Sequence, residues 1–353
     1  MNDMSLENVR DYYGKVLGTS QDLRTDACAT AEPPSLRVRQ ALGRVHEEVK
    51  ARYFGCGLLV PPALEGARIL DLGCGSGQDC YVLAQFAGPA GRVVGVDATP
   101  EQLAIARRHV ESHRQLFGFS QSTVDFIDGD IARLDELGFE PNSFDVIVSN
   151  CVINLVEDKG AVFAAAHRLL KPGGEFYFSD VYADRRVPRE LRQDSVLHGE
   201  CLAGALYWGD FMMLAKAAGF LDTRLASDRP LAVGDPEIAA KVAPIRFFSA
   251  TYRLFKLAGL EPACEDYGQA VRYRGGIPDA EQIFRFDKHH RIEAGRMFPV
   301  CGNTWRMLKE SRLAAHFDFF GDFTRHYGIF ADCGLAAPFS DPIEATRSVS
   351  ACC

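Results

Sequence analysis

The chain has 353 residues, room for two or three domains, and is 47% hydrophobic and 24% charged, as in a globular protein with a sizeable core. A net charge of −8 argues against sequence-independent nucleic-acid binding, which needs clustered Lys and Arg. No apolar run is long enough to span a bilayer, and Asp3, Glu7, Arg10 and Asp11 spoil any secretory signal, so the expected location is cytoplasmic, with no membrane contact.

Residues 1–40 read as a helical or irregular lead-in, broken by Pro33-Pro34. Apolar residues Leu36, Val38, Leu42, Val45, Val49 and Tyr53 then recur at helical spacing, which predicts one amphipathic helix over 35–54. From 67 to 180, short β runs alternate with helices. The runs are Arg68–Leu72, Arg92–Asp97, Thr123–Ile127, Phe144–Ser149 and Glu175–Ser179. The helices are Gln78–Ala87, Pro100–Phe117, capped by Thr99 and Gln102, and Lys159–Leu170, stopped by Lys171-Pro172-Gly173-Gly174. Near-continuous apolar strands separated by helices predict a parallel α/β sheet, doubly wound. Beyond 185 the alternation weakens. Helices are expected from Pro188 and over Trp208–Gly219, β runs over Ile245–Tyr252 and Gln269–Tyr273, and mixed or irregular structure over 286–340.

The sharpest local signal is Asp71-Leu72-Gly73-Cys74-Gly75-Ser76-Gly77, between the first strand and its helix. Gly73, Gly75 and Gly77 allow a tight turn and close backbone approach to a ligand. The third glycine comes one residue too early for a dinucleotide fingerprint, and Asp71 would repel a pyrophosphate. A carboxylate there suits a cationic ammonium group. Asp97, ending the second strand, suits two ribose hydroxyls, and Asp130, after Gly129, suits an adenine amine. An amino acid, a ribose and an adenine together describe S-adenosylmethionine. With Asn150 ending the fourth strand, these residues resemble the class I methyltransferases over roughly 60–185.

The acceptor must be read elsewhere. Eleven cysteines without a C-x-x-C pair give neither ordinary zinc spacing nor, in a reducing compartment, a stable disulfide framework. Cys151, just past the fourth strand, must face the cofactor cleft; Cys56 and Cys201 lie in segments able to fold over the same opening. Cys74 reads as a packing residue, Cys80 as core or a spare thiol, and Cys264, Cys301 and Cys333 as structural. Tyr53 and Phe54 either stack on the cofactor or only pack their helix.

Tyr12-Tyr13-Gly14, Ala27-Cys28, Tyr53-Phe54-Gly55-Cys56-Gly57, Ser149-Asn150-Cys151-Val152-Ile153-Asn154, Tyr177-Phe178-Ser179-Asp180 and Gly199-Glu200-Cys201 resemble the arsenite S-adenosylmethionine methyltransferases over about 10–290. The resemblance implies that Cys56, Cys151 and Cys201 hold As(III) and that Cys28 pairs with Cys56 during turnover. It implies cofactor contacts from Tyr53, Asp71, Gly73, Gly75, Gly77, Asp97, Asp130 and Asn150. Arsenite or its thiol conjugates would be the substrate, thioredoxin or glutathione the reductant, and the enzyme a monomer. The implied fold is a class I methyltransferase Rossmann-like doubly wound sheet, followed by a smaller arsenic-binding α+β domain and a C-terminal domain. The corresponding segments are 1–40 (redox cysteine), 41–185 (cofactor), 186–265 (arsenic), 266–340 (C-terminal) and 341–353 (tail). Two other readings remain at this stage: a methyltransferase for another small nucleophile, and a thiol-based metalloid or zinc binder on a methyltransferase fold.

Overall fold

The structure is a computed structural model and describes residues 34–55, 57–331 and 333. Cys28, Cys56, Cys352 and Cys353 lie outside the described residues.

Seven strands form the main sheet: β1 (Arg68–Leu72), β2 (Arg92–Asp97), β3 (Val124–Asp128), β4 (Phe144–Asn150), β5 (Leu170–Ala183), β7 (Thr223–Pro230) and β8 (Phe247–Phe255). A short eighth strand, β6 (Leu206–Tyr207), pairs with the end of β5. Their order is β3-β2-β1-β4-β5-β8-β7. The first five are parallel, as their apolar runs predict; β8 runs antiparallel to both its neighbours. Three strands of segment 186–265, β6, β7 and β8, extend the same sheet.

Two cores cover the two faces. One gathers Ile69, Tyr81, Leu83, Val93, Leu103 and Val146, under α1 (Leu36–Gly43), α2 (Glu47–Ala51), α3 (Gln78–Ala87) and α4 (Pro100–Arg108). The other gathers Leu70, Val96, Phe163, Phe176, Phe178 and Phe211, and takes in α6 (Lys159–Leu169) and α9 (Trp208–Ala217). Both layers are aromatic or branched and close-packed, which fixes where the strand ends point.

Several boundaries differ from expectation. The helix expected over 35–54 is two helices, since His46 adopts an extended conformation and caps α2 through Nδ1, which accepts the Glu48 N–H at 3.2 Å. The helix expected over 100–117 breaks at His109, leaving α5 (Val110–Phe117) separate. Thr99 takes the N-cap position of α4, but its side chain makes no cap bond. β5 runs through Lys171–Gly174 instead of starting after it. Gly173 has φ +78°, and a Cβ there would stand 2.0 Å from the Glu310 carbonyl oxygen, so glycine permits close packing of two distant segments.

Residues from 256 onward build on a core of Phe255, Tyr273, Phe284, Phe286, Trp305 and Phe317. Three short sheets occur here: β10 (Ala270–Tyr273) between β13 (Met297–Pro299) and β14 (Phe317–Phe320), the pair β11 (Ile283–Arg285) and β12 (Arg291–Glu293), and the pair β9 (Glu265–Asp266) and β15 (Gly328–Ile329). Strands of two to four residues are too short for sequence periodicity, hence the irregular reading of 286–340. A regular helix, α11 (Gly302–Lys309), lies in the same region. Cys264 and Cys333, read from the sequence as structural cysteines without partner spacing, are disulfide-bonded to each other. The β9–β15 pairing and the Phe330 N–H to Cys264 carbonyl bond (2.7 Å) bring them together. Among the described residues no helix is long and apolar enough to cross a membrane.

Candidate active site

A cavity of about 750 Å³ opens at the carboxyl ends of β1, β2 and β4. Open parallel sheets bind ligands there, where the strand order reverses. The glycine loop forms its floor. Gly73 and Cys74 donate their N–H groups to the Val96 carbonyl, at 2.8 and 3.0 Å, stitching the loop to β2. Gly75 has φ +52° and nothing stands within 4 Å of where its Cβ would be, so bare backbone faces the cavity. Gly73 also lines it, close against Val152. Gly77 does not. A Cβ at Gly77 would strike Phe126 and Ala106, so this glycine serves packing, not ligand contact.

Three carboxylates, two buried and the third, Asp97, half-buried, stand in the cavity wall. Asp71 ends 2% exposed and Asp79, on the first turn of α3, 5% exposed. Burial, together with the neighbouring Asp79 charge, pushes Asp71 up to about 8. Burial pushes Asp79 up to about 7 against the opposing bonds from Asn150 and Tyr53. Asp97 is also raised by burial; its Oδ2 accepts the Gly75 N–H and its Oδ1 the Thr99 N–H, both at 2.8 Å. Asp79 Oδ1 is buried without a hydrogen-bond partner. Such a set suits a cation that restores the charged forms. Asp130 lies two residues beyond β3, not at its end, and spends Oδ1 on capping the 3₁₀ turn Ile131–Leu137 through the Ala132 N–H at 2.9 Å. It still lines the cavity.

Asn150, the last residue of β4, ties the far wall together. Its Nδ2 reaches Asp79 Oδ2 at 2.9 Å, the Tyr53 hydroxyl at 2.7 Å and the Gly57 carbonyl. Tyr53 also donates to the Gly57 carbonyl. The residues on either side of position 56 are thus fastened against the end of β4, and Tyr53 and Phe54 both line the cavity.

Cys151 follows Asn150, lines the cavity and is 5% exposed. Cys201, equally buried, follows α8 (Ser195–Gly199), and its Sγ lies 3.4 Å from the Cys151 carbonyl oxygen. Both share a small core with Val181, Val187, Leu202 and Phe247. Both also have left-handed backbones, φ +55° at Cys151 and +60° at Cys201, a region costing a non-glycine residue about 1–3 kcal/mol. Cys151 is disulfide-bonded, so the structure is of an oxidised form in which that sulfur is not a free ligand. Lys159 is driven down to about 8 by burial, with Asp180 and Cys201 opposing, and its ammonium bonds the Val156 carbonyl at 2.7 Å. The sequence reading missed Asp79, which lines the cavity. A lone carboxylate in the apolar helix Gln78-Asp79-Cys80-Tyr81-Val82-Leu83 was the available signal.

A methyltransferase domain model matches residues 64–219 and an arsenite methyltransferase C-terminal domain model matches residues 267–348. The arsenite methyltransferase of Aquipseudomonas alcaligenes is 58% identical over 98% of this chain and 99% of its own length. The chain belongs to the arsenite methyltransferase family. The arsenite methyltransferase of Homo sapiens is 45% identical over 88% of this chain and 82% of its own. A crystal structure of an arsenic(III) S-adenosylmethionine methyltransferase from Chlamydomonas reinhardtii, 48% identical, superposes with a TM-score of 0.82 over 85% of this chain and all of that one. The protein is accordingly an arsenite methyltransferase with the class I, Rossmann-like fold and S-adenosylmethionine as methyl donor. The buried carboxylates, the unpartnered Asp79 oxygen and the bare Gly75 backbone fit that cationic cofactor.

Proposed function

We propose that the thiolates of Cys56, Cys151 and Cys201 hold As(III) above the cofactor cavity and that Cys28 serves as the redox partner. The observation that carries this reading is the Cys201 Sγ packed against the Cys151 carbonyl at the cavity wall. Thiolates suit a soft, thiophilic centre. Three of them leave arsenic pyramidal with one lone pair and no proton to remove, so the site needs no general base. When bound, the cofactor supplies an electrophilic methyl group on a sulfonium sulfur. Asp71 and Asp79 hold its ammonium end, Asp97 its ribose, Asp130 its adenine amine, and Gly73 and Gly75 its close approach. Tyr53 and Asn150 keep the wall in place. The protein's contribution is then orientation, worth up to roughly 7–11 kcal/mol in well-aligned systems.

Methyl transfer would draw the arsenic lone pair into the new As–C bond while the sulfonium S–CH3 bond breaks and its electron pair stays on sulfur, leaving a neutral thioether, and would raise arsenic formally to the pentavalent state. Two cysteine thiols return two electrons and become a disulfide, which thioredoxin or glutathione reduces. The products on this reading are mono- and dimethylated arsenicals, with trimethylation the further step. The five-part division of the chain, a monomeric state and a cytoplasmic location belong to the same proposal.

Purified, reduced protein with arsenite, S-adenosylmethionine and a thiol tests it, with products separated by mass. Cys201→Ser is expected to lower arsenite methylation by more than about 100-fold, beyond the roughly 10–100-fold that loss of a mere supporting partner of a ligand costs. Cys28→Ser should impair arsenite methylation yet spare an already methylated substrate. Full activity of Cys201→Ser would remove the thiol site.

A further inference from the structure

On the far side of α2 from the cofactor cavity lies a cluster of imidazoles. His46 occupies the break between α1 and α2, Glu48 the first turn of α2, and His109 the break between α4 and α5. One ligand atom from each lies within 4.8 Å of the other two. The His46 and His109 rings stack with centroids 3.7 Å apart, and His109 Nε2 stands 2.7 Å from Glu48 Oε2. Arg108 takes the other carboxylate oxygen, leaving Oε2 to the imidazole side.

A second shell holds these groups. His113 Nε2 accepts the His46 N–H at 3.0 Å and its Nδ1 bonds the His109 carbonyl at 2.8 Å. Its ring stacks on buried Tyr81. Two helix breaks that the periodicity did not foreshadow thus meet at one point, each made by a histidine.

We propose that His46, Glu48 and His109 form a binding site for a divalent late first-row transition ion, with Zn²⁺ the best fit, separate from the arsenic thiols. Two imidazoles and one carboxylate match Zn²⁺ ligation, with water completing four positions, whereas Ca²⁺ and Mg²⁺ call for oxygen sets. His46 is exposed, so the ion enters from solvent, while His109 is buried and fixed. Binding turns the exposed His46 ring off the His109 face, so that both in-plane lone pairs meet at one ion.

The site is coupled to the cavity by the short helix between them. α2 leads directly into Arg52, Tyr53 and Phe54 in the cavity wall. Ser76 of the glycine loop donates to the Val49 carbonyl at 2.8 Å. An ion at the start of α2 therefore pins that wall to the α4–α5 turn.

Titration of the full-length, ¹³C-histidine-labelled protein with Zn²⁺ is the test, because zinc captured by cysteines leaves these histidine signals unmoved. The His46 and His109 resonances should shift together and saturate in the micromolar range. Saturating ion should raise the thermal midpoint by about 3 °C over the ion-free protein, a rise that His46→Gln, compared with its own ion-free midpoint, should not show. His46→Gln alters an exposed side chain and should abolish the His109 shift; Glu48→Gln should weaken binding about 10-fold or more. Resonances that stay still up to millimolar Zn²⁺, or a His109 shift that persists unchanged in His46→Gln, would overturn the proposal.

Discussion

Burial raises Asp71 and Asp79 above the 3.8 of an ordinary aspartate, so in the folded chain each keeps its proton to higher pH than in the unfolded chain. The folded protein without cofactor therefore binds more protons than the unfolded chain above that value, and these two groups make stability fall as pH rises through about 7 and 8. Asp79→Asn should flatten that fall, seen as a shallower loss of thermal midpoint between pH 6 and 8.5. Cofactor binding near pH 6.5 should expel protons from the pair, measurable by calorimetry in two buffers of different ionisation enthalpy, and the variant should expel fewer. Asp71 and Asp97 were legible in the sequence because one is the penultimate and the other the last residue of an apolar run, and a strand end is a position that pattern alone locates. Asp79 sits inside a helix whose neighbours are apolar, and only tertiary packing shows that it faces the other two. Gly77 illustrates the converse: the motif groups it with Gly73 and Gly75, while its missing Cβ makes room for Phe126.

At the scale of elements, β5 is joined to β8 and to the C-terminal region by ionic contacts inside the core. Glu175, fully buried on β5, meets Arg253 of β8 at 2.6 Å and Arg312 at 2.6 Å. Burial raises its carboxyl, but Arg253 and Arg312 outweigh that and hold it below the ordinary range. Glu175→Gln leaves two guanidinium groups without their counter-charge and should destabilise the fold by about 3–5 kcal/mol, read from the denaturant midpoint. A charge at this position in a strand otherwise made of Phe176, Tyr177 and Phe178 was visible in the sequence, yet its partners lie 78 and 137 residues away and no local pattern names them. Elements bounded by strong punctuation, such as β1 and α3, were legible to the residue. The breaks at His46 and His109 were not, because both histidines keep helical spacing and yield it only to one another's rings.

Across the whole molecule, the junction between the sheet and the C-terminal region turns on Gly173. Its N–H donates to the Lys256 carbonyl at 2.8 Å while its α-carbon lies against Glu310. Gly173→Ala meets both a left-handed φ and a backbone oxygen, so it should cost more than about 1 kcal/mol and loosen the C-terminal region. Limited proteolysis should then cut beyond residue 256 faster than in the unaltered protein. The sequence announced a turn at this glycine but gave no hint of what it approaches, because the two segments meet only through the assembled sheet.

The left-handed backbones of Cys151 and Cys201 carry a consequence for anyone selecting sturdier variants. At such torsions glycine is the comfortable occupant, so Cys201→Gly should unfold at a higher denaturant concentration than Cys201→Ser, while both are inactive on arsenite. A screen that rewards heat resistance alone would drift toward losing the sulfur. On the proposed thiol site, stability and arsenite methylation pull this position in opposite directions.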